Sequence, residues 1–157
     1  MPATEAPLPA LPRTFRPLRT RVVLHTSGAV VFGVLTLIAF LLPAGGAMSW
    51  GPGDRAAISA SGLLAWAVLA LLSRPKAVAD PGGVTVVNLT TRRRLAWAEI
   101  IRVNLRPGDP WASLDLADGT TLAVMGIQPG IARGQAMADA RALRDLVDHH
   151  GAGASGS

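Results

Sequence analysis

VVLHTSGAVVFGVLTLIAFLL, residues Val22 to Leu42, runs for 21 residues without one Asp, Glu, Lys or Arg. As a helix rising about 1.5 Å per residue it spans about 31 Å, close to the depth of a bilayer's hydrocarbon core. His25, Thr26 and Ser27 lie near its start, where interfacial water reaches them. A second block, AAISASGLLAWAVLALL from Ala56 to Leu72, has 17 residues and is equally free of charge. It lies at the short end of the spanning range, which local bilayer thinning or the flanking Ser73 turn accommodates. Neither block alternates with period two, so neither reads as a strand. Neither carries a polar stripe along its whole length, as the core helix of a soluble protein would. A cleaved signal peptide fits the first block poorly, because signal cores hold about 7–15 apolar residues and here a second block follows at once. The connection, PAGGAMSWGPGDR from Pro43 to Arg55, is rich in Gly and Pro and reads as a loop, with Trp50 suited to the headgroup level. Together the two blocks predict a transmembrane helical hairpin.

The composition agrees. Of 157 residues, 50% are hydrophobic and 16% charged, and the mean hydropathy is +0.37. Ordinary soluble domains carry about 25% charged residues. A wholly soluble globule and a disordered polar chain are both disfavoured. The absence of cysteine removes disulfides, thiolate nucleophiles, Fe–S clusters and cysteine zinc sites. Arg13, Arg16, Arg19 and Arg21 precede the first block, Arg74 and Lys76 follow the second, and the loop between holds one Asp and one Arg. By the positive-inside rule both termini are cytoplasmic, in the inner (plasma) membrane of a multi-pass protein. The first residues contain Pro2, Pro7, Pro9, Pro12 and Pro17, which rule out a regular helix and predict a mobile, partly extended, basic arm over 1–21.

From Val78 onward the texture changes. Val84 to Leu89 is β-branched and short, Thr90 and Thr91 begin a turn, and Leu95 to Trp97 resumes an extended pattern. This predicts a hairpin with Arg92, Arg93 and Arg94 at its tip. A one-turn kink at Ala98-Glu99 precedes an extended Ile100 to Leu105, and Arg106-Pro107-Gly108-Asp109-Pro110 is a strong turn. Trp111 to Leu116 alternates, placing Leu114 and Leu116 inward and Ser113 and Asp115 outward. Asp118-Gly119 marks a hairpin turn back into Thr120 to Ile127. A final helix begins near Arg133 or Gln135 and ends at Gly151, with Ala136, Ala140, Leu143 and Val147 on one face. Arg141–Asp145 and Arg144–Asp148 are candidate surface pairs.

Residues 76 to about 150 resemble the short bacterial pleckstrin-homology-like (PH) domain. The stretch RRRLAWAEIIRV, then WASLDLADGTTLAVMGI, then a closing helix is similar to the pattern of actinobacterial PH-domain membrane proteins of the low molecular weight protein antigen 6 type. That resemblance implies paired spans before the domain and a seven-stranded, two-sheet barrel capped by a helix, although fewer strands than seven are readable from the residues. It supplies no catalytic residues. The expected organisation is an arm (1–21), a hairpin (22–72, spans 22–42 and 56–72), a mainly-β PH-like domain (76–150) and a flexible tail (151–157).

Candidate chemistry is sparse. Arg92, Arg93 and Arg94 are candidate lipid-contacting residues, since each juxtamembrane arginine near an anionic leaflet contributes about 1 kcal/mol. The bland alternative is an edge kept soluble by charge, which also guards it against strand pairing. Asp148-His149-His150 lacks the further ligands a metal site needs and reads as a solvated helix end. No Gly-rich phosphate loop, G-x-S-x-G or carboxylate pair occurs, so no enzyme, metal or cofactor is expected. After Ser73 there are ten Lys and Arg against eight Asp and Glu, too balanced for a nucleic-acid footprint. The expected role is a membrane-anchored scaffold that recruits a protein partner, by β-augmentation of an exposed strand edge. Anionic-lipid sensing through the arginines is the alternative. A third is an accessory subunit of a membrane complex, with Gly28, Gly33 and Gly62 as candidates for close helix packing.

Overall fold

A computed structural model describes residues 8–45 and 49–154, with side chains as far as Gly151. The chain divides into two units: Leu18–Arg74, and Met1–Pro17 together with Pro75–Ser157.

The first unit is a pair of helices, α1 (Leu18–Leu41) and α2 (Pro52–Leu72). Each starts four residues before the expected span. Proline opens α2, where its fixed φ suits a first turn and no amide is needed. The Asp54 carboxylate accepts the Gly51 amide at 2.9 Å, and Arg55 donates to the Leu42 carbonyl at 2.8 Å, closing the end of α1. The helices meet where side chains are small. Gly28 and Ala39 of α1 and Gly62 of α2 are buried, whereas Val30, Leu37, Phe40, Leu64 and Val68 are exposed. A Cβ at Gly28 would collide with the Trp66 indole, and one at Gly62 would stand 3.0 Å from Phe32 Cα. Phe32 and Trp66 bring their rings to 6.0 Å. At the open end, His25 Nε2 and Ser73 Oγ share a hydrogen bond of 3.0 Å. Gly33 meets nothing within 4 Å of its would-be Cβ among the described residues.

Replacing Gly28 by leucine should therefore force the helices apart, at about 1–3 kcal/mol, while Gly33→Ala should leave the hairpin unchanged. Cysteines introduced at 25 and 73 in this cysteine-free chain give the measurement. Oxidative cross-linking of His25→Cys/Ser73→Cys should fall with Gly28→Leu and persist with Gly33→Ala.

The second unit holds seven strands among the described residues. β1 (Arg13–Phe15), β2 (Lys76–Asp80), β3 (Gly83–Val87) and β4 (Arg92–Leu95) form one antiparallel sheet in sequential order. β5 (Ile100–Asn104), β6 (Ala112–Leu116) and β7 (Thr121–Val124) form the other. A 3₁₀ turn, Trp97–Glu99, connects them at the expected kink, and α3 (Arg133–Ala154) closes the unit. Alternation then decides the faces. Phe15, Ala77, Ala79, Val84, Val86 and Leu95 from the first sheet are buried with Val103, Leu114, Leu116 and Val124 from the second. The predicted helix face of Ala136, Ala140, Leu143 and Val147 joins them, with Leu146. Strand number, two-sheet arrangement and closing helix agree with a PH-like fold.

Three boundaries are corrected. The expected mobile, partly extended arm is in part an ordered strand: Arg13, Thr14 and Phe15 pair with Ala79, Val78 and Ala77, and Leu18 to Arg21 belong to α1. Pro12 and Pro17 bracket a three-residue edge strand, a place where a missing amide does no harm. Residues 1–7 lie outside those described. α3 continues to Ala154 past Gly151, helped by alternating alanines, the best helix formers; residues 155–157 of the expected tail lie outside those described. Arg92 to Arg94 form strand β4 itself, and the turn before it is made by residues 88–91, with the Asn88 amide donating to the Thr91 carbonyl at 2.8 Å.

α3 also straps β1 in place. Gln135 donates from its side-chain amide to the Arg16 carbonyl at 3.1 Å, and Asp139 stands 3.8 Å from Arg13. Burial raises the Asp139 carboxyl above its ordinary range, against the opposing pull of Arg13 and of a hydrogen bond from Gln135. A carboxyl whose pKa is raised on folding favours the fold at pH below its unfolded value and loses that contribution as pH rises through the folded value. Asp139→Asn should hence be at least as stable as the parent at neutral pH, and the difference should vanish under acid conditions. Urea midpoints of both proteins across that pH range check the sign.

Candidate functional site

Strand β4 presents the three arginines in alternation, Arg92 and Arg94 on one face and Arg93 on the other, so the triplet does not act as one cluster. Arg93 shares the inward face with Leu95 and, at the rim, reaches Asp118 at 3.5 Å. Arg94 lies on the outward face opposite Thr85 and grips Asp80 with two nitrogens, at 2.7 and 2.8 Å. That grip, then the Gly82 amide, holds the Asp80 carboxyl below its ordinary range, so the pairing weakens only as pH falls into the acid limb. The Thr120 hydroxyl and amide, then Arg93, do the same for Asp118. Arg92 has no acidic partner among the described residues. Two of the three predicted lipid-contacting charges are thus already neutralised by carboxylates within their own sheet pair, a pairing that the spacing of Asp80 and Asp118 in the sequence did not reveal.

The strand register defines a different basic feature. Lys76 is paired with Val87, and Val87 with Arg92. The three side chains therefore share one face in one row across β2, β3 and β4. With strands about 4.8 Å apart, the backbone positions of the two basic residues are about 10 Å from each other. Lys76 is the second residue after Arg74, at the chain's exit from the hairpin.

Edge strands are the other candidate feature, and three of the four have a side chain hydrogen-bonded to the backbone at or beside them. Gln135 takes the carbonyl that follows β1. Arg144 donates to the Val103 carbonyl of β5 at 3.0 Å, in place of the expected surface pair with Asp148. Asn88 bridges to β7 and the residue after it, donating to the Ala123 carbonyl at 2.8 Å and accepting the Met125 amide at 3.1 Å. Asn88 and Arg144 carried no sequence signal for these roles, since each acts on a strand more than 30 residues away. β4 ends its sheet, and no side chain from another element bonds to its backbone among the described residues.

His149 and His150 do not meet a third ligand: no group of three or more His, Asp or Glu side chains placed to hold a metal occurs among the described residues. His150 instead stacks on Trp97 with ring centroids 4.8 Å apart, and its Nδ1 lies 2.9 Å from the Leu146 carbonyl. The expected solvated helix end is half-buried at that position.

Comparison with known proteins agrees with this geometry. Residues 74–146 match the family model of a bacterial PH domain. The chain is 34% identical over 94 residues to uncharacterized proteins of Mycobacterium bovis and Mycobacterium tuberculosis, a match covering 60% of this chain and 60% of each of theirs. No solved structure matches the chain significantly.

Proposed function

We propose that the chain is a non-enzymatic adaptor of the actinobacterial PH-domain membrane-protein kind, fixed in the inner membrane by its helical hairpin. Its PH-like domain holds a protein partner at the cytoplasmic face. The observation that carries the reading is the pairing of β1 with β2 on either side of the two helices. Residues 13–15 and 77–79 must share one aqueous compartment, as they do if the chain crosses the bilayer twice and returns. The exposed Val, Leu and Phe side chains of α1 and α2 support the same reading, because lipid satisfies surfaces that water would not. Four N-terminal arginines favour the cytoplasmic side. For the partner, β4 offers an unoccupied strand edge flanked by Arg92, suited to adding a strand from an extended peptide.

Two measurements test this. After lysis without surfactant the protein should sediment with membranes, and cysteines placed at Thr14 and at Val78 should both resist a membrane-impermeant maleimide in intact cells. Labelling of either one from outside would refute the topology. Mild detergent extraction should co-purify a protein whose capture is lost when proline replaces Arg93 in β4.

The Lys76–Val87–Arg92 row favours a second reading, in which the domain adds peripheral attraction to anionic lipid. Lys76→Ala/Arg92→Ala should then weaken binding of the protein to phosphatidylglycerol vesicles, whereas Arg93→Ala and Arg94→Ala should not.

A further inference from the structure

A groove of about 530 Å³ opens between the β5–β6 turn and the start of α3, lined by Arg106, Pro107 and Asp109 on one side and by Pro129, Arg133 and Met137 on the other. Its volume is that of a small-ligand or side-chain pocket. We propose that this groove binds an acidic peptide segment, with a carboxylate between Arg106 and Arg133 and an adjoining apolar side chain against Pro107, Pro129 and Met137.

The charge of the groove carries the assignment. Neither guanidinium is engaged by an acidic side chain among the described residues. One carboxylate lines the groove as well: Asp109 accepts the Arg106 backbone amide at 2.8 Å, while its own amide donates to the Arg106 carbonyl at 3.1 Å, so two guanidiniums stand against one carboxylate and the groove is net positive. Gly108, at φ +96°, completes that tight turn, which fixes the backbone from which Arg106 projects. Across the groove, α3 begins at Arg133 with no acidic residue in its first turn, so no carboxylate of that turn offsets the positive end of the helix. Two guanidiniums on a rigid turn and a helix start fit a carboxylate through charge-assisted hydrogen bonds. The prolines and the methionine leave an apolar wall beside it, which a bare inorganic anion would not use.

The inference relies on the adaptor reading only for the source of the peptide, and the two can fail separately. The test titrates the full-length chain in an uncharged detergent with a fluorescent six-residue peptide alternating leucine and glutamate, and with its leucine–glutamine counterpart. The acidic peptide should bind saturably, and the glutamine version at least about tenfold more weakly. Arg106→Ala and Arg133→Glu should each weaken the acidic peptide by about tenfold or more. Arg133→Glu adds a carboxylate to the first turn of α3, which the helix dipole favours. Its melting temperature should hold or rise while binding is lost, and that separates recognition from folding. Equal affinity for the two peptides, indifference to both substitutions, or no peptide binding would overturn the proposal. So would saturable binding of inorganic phosphate, or of phosphatidylglycerol vesicles, with the peptide excluded. A partner held through β4 alone would still co-purify with Arg106→Ala/Arg133→Glu, leaving the adaptor reading intact.

Discussion

Replacing Phe15 by alanine should cost the β unit about 3–5 kcal/mol, the range for truncating a buried aromatic. Phe15 is among the largest fully buried side chains of the molecule, at 1% exposure. It lies on β1, opposite Ala77, and enters a core built otherwise from residues after position 76. Domains of this size are stable by about 5–15 kcal/mol, so the loss removes a large share. The consequence for the whole strand is larger. A fragment beginning at Arg74 contains the entire family match but lacks β1, leaving the β2 edge unpaired and a void where Phe15 sat. Such a fragment should unfold at lower urea than the full chain, and linking residues 8–17 to its N-terminus should restore most of the difference. Urea unfolding followed by tryptophan fluorescence, with trypsin resistance as a second readout, checks both. A loss under about 1 kcal/mol for Phe15→Ala would show that β1 is not part of the folding unit.

The second large effect belongs to Gly83. Its φ of +146° lies where side chains are rarely tolerated. A Cβ there would also overlap the Leu95 carbonyl oxygen, on the neighbouring strand. Gly83→Val must both leave a conformation that suits glycine and push β3 from β4, and backbone strain of this kind alone costs about 1–3 kcal/mol. Loss of the β3–β4 pairing would release the Arg94–Asp80 grip as well. The variant should therefore lose its folded β unit at ambient temperature. Far-ultraviolet circular dichroism should show strand signal falling while the helical contribution of α1 and α2 persists. By contrast Gly108→Ala, also at positive φ but with open space around its would-be Cβ, should keep the fold at a cost set by φ alone.

The hairpin, the β6–β7 turn and the packed face of α3 could be read from the chain because each is written in local periodicity. Charge-free runs of bilayer length, Asp118-Gly119 between alternating strands, and steps of four and three along α3 involve neighbours within about ten residues. Gly28 and Gly62, readable as small-residue candidates for helix packing in a membrane complex, are used inside the hairpin itself, against Trp66 and Phe32, while Gly33 has no neighbour within 4 Å of its would-be Cβ among the described residues.

The remaining features required three-dimensional pairing. Residues 13–15 became a strand because β2, more than 60 residues later, offers a register in which Phe15 fills the core; the five prolines nearby signalled an extended arm but not the strand it pairs with. The arginine triplet was visible as charge, but its effect depends on Asp80 and Asp118, which only the folded sheet brings to Arg94 and Arg93. Asn88 and Arg144 close strand edges that do not exist until the sheets assemble. Burial periodicity is a property of one segment and survives in the sequence, whereas the partner of a polar group is fixed by which segments become neighbours on folding.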